Sequence, residues 1–194
     1  MWLTKHIALG LCLALLVVGG GSCVPRPLPP VGGISLQPGR YLEGYYRAPG
    51  FVAEKLTYDL EPFTVEEAGG LNPDTFRDLL MTELTAAWEA NGLKLKGPKG
   101  AGRVFGTVSQ VSIRGTQLRF LTGKISARLE VSGAITREGQ TLFAFRDRVR
   151  VNSPVKPGPP APKEQELLLR QAVRVFVNHL LTELFLQGVP EPEG

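Results

Sequence analysis

The sequence predicts an α+β fold, a two-layer sandwich of order β-α-β-β-β-α with two helices on one face of a four-stranded sheet. Three observations point to it. Two segments, opening near residues 72 and 164, repeat apolar side chains at helical spacing. Four others alternate apolar with polar residues or run in β-branched and aromatic residues, as strands with one buried face do. Glu138-Gly139 separates two of those strands by a compact turn signal, which makes them a hairpin. At 194 residues, 43% of them hydrophobic, the chain suits one domain with a core and is too apolar for wholesale disorder.

The first strand, Val52–Val65, alternates Leu56, Tyr58 and Leu60 with Thr57, Asp59 and Glu61. Pro62 then ends it or confines it to an edge. Asn72-Pro73-Asp74 opens a helix: Asn caps it, Pro takes the first position, and Asp complements the dipole. Phe76, Leu79, Leu80, Leu84, Ala87 and Trp88 line its buried face, and Asn91-Gly92 closes it. Three strands follow, Val104–Ile113, Ile125–Arg137 and Gln140–Val151. In the second, Ile125, Ala127, Leu129, Val131 and Ile135 share a face. In the third, Phe143, Phe145, Val149 and Val151 do, with Asp147 the exception. Arg146, Arg148 and Arg150 therefore point the other way. Ser153–Pro162 holds five Pro in ten residues and reads as a stiff connector. The last helix, Glu164–Gln187, carries Leu168, Leu169, Ala172, Val173, Phe176, Leu180 and Leu184 along one stripe. Val175, Val177, Leu181 and Phe185 widen that stripe, for contact with the first helix or with a partner.

At the N-terminus, a short basic stretch, the apolar run Ile7–Val18 and small residues through Ser22 make a secretory signal peptide. Val17-Val18-Gly19-Gly20-Gly21-Ser22-Cys23 resembles the lipobox of bacterial lipoproteins, with Gly20 where that family usually has Leu. The resemblance implies cleavage before Cys23 and acylation of its thiol. An uncleaved anchor over the charge-free Ile7–Val24 is the alternative. The expected division is a signal peptide over 1–22, a lipidated Cys23 and Pro-rich tether over 23–51, a periplasmic domain over 52–187, and a disordered tail over 188–194. Cys12 would leave with the signal peptide, so the mature chain keeps neither a disulfide nor a thiol nucleophile. Val24 in place of Asp implies, by the same resemblance, the outer membrane, facing the periplasm. Three of the four Tyr follow the Pro-rich run Val24–Arg40; Tyr45 and Tyr46, with Phe185, are candidate partner contacts, and folding back onto the domain is the alternative.

Residues 99–156 hold eleven Lys or Arg against three Asp or Glu, so the basicity belongs to the sheet. The net charge of +4 is too small to argue for nucleic acid. Arg128, Arg146, Arg148 and Arg150 form a candidate anion-binding face, because the planar Arg fork suits phosphate and carboxylate. A solvated face is the plainer alternative. Catalysis has little to work with. His6 leaves with the signal peptide and His179 has no partner at a recognisable spacing. Glu66, Glu67, Asp74 and Asp78 suit capping and solvation, and Gly100-Ala101-Gly102 lacks the Lys-Ser/Thr of a phosphate loop. No metal-ligand spacing occurs. The expectation is a protein that is not an enzyme and uses no cofactor or metal.

A lipobox, a Pro-rich tether and this order of elements are similar to the small outer-membrane lipoproteins of bacterial envelope assembly and export. Among these are the lipopolysaccharide-assembly lipoproteins and the curli and exopolysaccharide accessory lipoproteins. Leu60-Glu61-Pro62-Phe63, Arg119-Phe120-Leu121-Thr122-Gly123 and Ala127-Arg128-Leu129-Glu130-Val131 carry the likeness. It implies a membrane-tethered accessory or docking subunit of an envelope protein complex. The residues leave open a carrier of anionic lipid or lipopolysaccharide that uses the basic face.

Overall fold

The computed structural model describes residues 27–95, 101–116, 119, 123–156 and 158–186. Strand β1 (Gly44–Arg47) comes first, then a 3-10 turn (Ala53–Lys55), β2 (Thr57–Leu60) and β3 (Thr64–Val65). Helix α1 (Pro73–Ala90) and β4 (Lys94–Leu95) follow. The long strands β5 (Gly102–Arg114), β6 (Ser126–Arg137) and β7 (Gln140–Asn152) lead to helix α2 (Pro162–Phe185).

The class is α+β, but the expected four-stranded sheet is wrong: the sheet has seven strands, ordered β1-β7-β6-β5-β2-β4, with β3 also on β5. The additions are short. β1 has four residues, and β3 and β4 have two each, too few for an alternation to show. β1 and β3 form because the long strands β7 and β5 present open edges whose backbone groups need partners, and β4 adds to the edge of β2. β1, within the segment expected to be tether, takes the free edge of β7 from Gly44↔Arg146 to Arg47↔Phe143. The expected strand over 52–65 is divided at Pro62: β2 pairs with Gly102–Val104 of β5, and β3 with Thr107 and Val108. Between them Phe63 turns into the core against Gly106, where any side chain would collide with its ring.

β2 runs parallel to β5 and β4, whereas β5, β6, β7 and β1 are antiparallel. The hairpin forms as expected. Arg137 pairs with Gln140 across Glu138 (φ 52°) and Gly139 (φ 80°), the positive values that a type I′ turn requires.

Both helices join the sheet in one core. The Asn72 side chain accepts from Thr75 N at 2.9 Å and starts α1, which buries Phe76, Leu80, Leu84 and Trp88. The Trp88 ring meets Tyr58 edge-on at 5.6 Å. All of the main stripe expected for α2 is buried, and so are Val177 and Leu181 of the widened arc. Val175 and Phe185 pack against the core half-buried, so that extra width serves the fold. Glu83 of α1 ties the helices together, accepting from Arg170 at 3.2 Å and Arg174 at 2.8 Å. Arg119 is buried and forks onto Glu164, in the first turn of α2, at 2.7 and 2.8 Å. Among the described residues no helix is long and apolar enough to cross a membrane.

Candidate functional site

Cys23 lies outside the described residues. From Pro27 onward the chain lies along the domain as a strap. Gln37 and Tyr45 exchange backbone hydrogen bonds at 2.8 Å each, which adds a further rung outside β1. Leu28 and Leu36 cover the Cα of Gly44 so closely that a side chain there would run into Leu28. Gly44 stands opposite Arg146, and side chains opposed in this way share a face. The strap thus reaches the sheet on the side away from the helices.

It is then locked across the edge. Glu183 of α2, 3% exposed, accepts from Tyr41 N at 2.8 Å and Leu42 N at 3.4 Å. Asp147 accepts from Glu43 N at 3.3 Å and from Arg148 N at 2.9 Å, and meets His179 Nδ1 at 2.9 Å. Arg47 donates to the carbonyls of Glu183 at 2.8 Å and Leu184 at 2.6 Å, orphan acceptors at the negative end of α2. Its guanidinium also sits 5.6 Å from the ring centres of Phe51 and Phe143. Burial raises the Asp147 carboxyl above its ordinary value, with the His179 hydrogen bond pulling the other way. Burial likewise lowers Arg47, against the pull of neighbouring acidic groups. The exception in the β7 stripe, Asp147, was a visible signal of this latch. Its partner was not, because His179 and Asp147 lie on different elements.

The outer face of the sheet carries the four candidate arginines, but not on equal terms. Arg146 Nε meets Glu43 at 3.2 Å, and Arg148 Nε meets Glu130 at 3.0 Å. These two are matched by carboxylates. Arg128 and Arg150 stand directly opposite each other, with Ser112 next in the same row on β5. Arg150 is exposed. Among the described residues Arg128 Nε and Ser112 Oγ are buried without a hydrogen-bond partner.

The aromatic candidates are drawn into the fold. Tyr45 stacks on Phe143 at 6.0 Å, and Tyr46 is half-buried on the outer face opposite Ala144. Phe185 is half-buried and lines a hollow of about 320 Å³ with Arg47, Phe51 and Leu184. A larger groove of about 600 Å³, which the sequence did not announce, opens between the starts of α1 and α2. Leu71, Phe76, Leu79 and Leu169 make it apolar, with Asp78 and Arg170 among its polar residues. Among the described residues no cluster of His, Cys, Asp and Glu could hold a metal.

No protein-family model matches the sequence, and no curated protein matches it. Among solved structures, a Xanthomonas campestris protein of family DUF330 aligns with a TM-score of 0.50 and 9% identity, over 70% of this chain and 86% of that one. The two share a fold. A minor lipoprotein from Acinetobacter baumannii aligns with a TM-score of 0.42 and 17% identity, over 67% of this chain and 92% of its own. Rare lipoprotein B from Shewanella oneidensis aligns with a TM-score of 0.42 and 13% identity, over 64% and 92%. The last two are named as lipoproteins.

Proposed function

We propose that this chain is a non-catalytic, lipid-anchored envelope protein of the outer membrane that serves as an accessory or docking subunit of an export or assembly complex. The short path from Cys23 to the sheet supports this reading. Val24, Pro25 and Arg26 alone separate Cys23 from Pro27, and four residue steps reach at most about 14 Å. A lipid on Cys23 would therefore hold the domain against the bilayer, with the strap already locked to β1 and α2. The apolar groove lies at the other end of α2. Glu166 and Glu183 are separated by 17 residues, about 25 Å of helix. Anchor and groove are thus far enough apart for one chain to hold the membrane and grip an apolar segment of a larger membrane protein.

Gentle detergent extraction of the native protein, with mass spectrometry of what accompanies it, tests the docking role. A stoichiometric membrane protein is expected, and Thr75→Arg in the groove should release it while the domain stays folded. Absence of any protein partner, or a partner indifferent to Thr75→Arg, refutes that role. Cys23→Ala tests the anchor separately: it should free the chain from membranes or trap its precursor. Membrane retention of a cleaved Cys23→Ala chain refutes it.

A further inference from the structure

We infer that the outer face of the sheet lies against the bilayer and that the row Ser112, Arg128 and Arg150 receives the phosphate of an anionic lipid headgroup. The inference rests on the anchored reading above and adds a ligand to it. Register alone builds the row: Ser112 is opposite Arg128, and Arg128 is opposite Arg150. Like charges directly opposed across strands are destabilising. The neighbouring rows avoid that penalty, with Glu130 opposite Arg148 and Glu43 reaching Arg146. Among the described residues no carboxylate pairs with Arg128 or Arg150.

The same row holds two of the buried polar atoms that lack partners among the described residues, Arg128 Nε and Ser112 Oγ. A buried donor with no acceptor is costly, and natural folds rarely leave two side by side. A phosphate supplies what is missing: negative charge between two guanidinium groups and several acceptor oxygens for the fork and the hydroxyl. The source follows from the strap. It meets the sheet at Gly44, opposite Arg146, on this same face. Arg150 is four residues along β7 from there, about 13 Å. A chain tethered through Cys23 therefore brings this row to the headgroup layer, where the phosphates of lipid headgroups lie.

The native lipidated protein, reconstituted in nanodiscs, provides the test. Side-chain Nε–H signals of Arg128, Arg150 and Arg146 are recorded in three settings: phosphatidylcholine discs, discs also containing phosphatidylglycerol, and phosphatidylcholine discs with inorganic phosphate in the buffer. The Arg128 and Arg150 signals should shift and become protected in the phosphatidylglycerol discs alone. Arg146, already on Glu43, should move little. Arg150→Gln, at an exposed position, should remove the Arg128 shift while the backbone spectrum stays native. Equal shifts with inorganic phosphate would overturn the lipid source, and retention on discs without shifts would overturn this inference alone. Loss of the protein from both kinds of disc would overturn the anchored reading together with it.

Discussion

Asp147 interrupts the apolar stripe of β7 because three groups from three parts of the chain converge on it: Glu43 N, Arg148 N and His179. Glu183 does the same for Tyr41 and Leu42 from the end of α2. Glu183→Leu would leave two backbone donors with no acceptor, a loss of about 1–3 kcal/mol by the usual cost of such groups. Chemical denaturation with wild type as reference measures it, and an unchanged midpoint would remove the latch from this account. Glu164 and Asp147 make stability depend on pH in opposite directions. Hydrogen bonding to Arg119 lowers Glu164 below its ordinary value. Its contribution is thus complete above the unfolded pKa and fades as pH falls through the lower folded one. Asp147 is raised, so its contribution is complete in acid and fades as pH rises through its elevated folded value. Wild type should therefore lose more stability than Glu164→Gln between neutral pH and strong acid, as denaturant midpoints at the two pH values would register. Equal losses would mean that the Arg119 contact contributes nothing. None of these pairings was legible in the sequence. Arg128, Arg146, Arg148 and Arg150 look alike along the chain, and only Glu43, brought in by β1, and Glu130, by register, separate them.

The long elements were legible to within a residue or two, and the short ones were not. Asn72-Pro73, the apolar faces of α1 and α2, and Glu138-Gly139 act over a few neighbouring residues, so their outcome is written locally. β1 is different. Tyr45 and Tyr46 carry strand propensity, but the Pro-rich stretch before them favours a tether, and only the free edge of β7 turns the segment into a strand. Gly44 is the hinge of that arrangement, since Leu28 and Leu36 occupy the space a side chain would need. Gly44→Val should detach the strap and leave both helices intact. Hydrogen exchange at the Gln37 and Tyr45 amides would quicken, with the amides of α1 unchanged. Protection retained at both positions would show that the strap tolerates a side chain there.

For the molecule as a whole, anchoring and folding should be separable. Cys23 precedes the first described residue, and the core of the described residues forms without it. Cys23→Ala should change the stability of the folded domain by no more than about 0.5 kcal/mol, the range of substitutions remote from a core. A larger change in thermal unfolding would mean that the N-terminal residues pack on the domain. The sequence by itself determined the α+β class, both helices, the three long strands and the hairpin, because periodicity, caps and turns act within a dozen residues. Tertiary structure alone decided the seven-stranded sheet, the buried carboxylate latch and the unequal fates of the arginines. Short strands and buried charges depend on partners far along the chain, 142 residues away for Tyr41 and Glu183, and no local pattern encodes an acceptor at that separation.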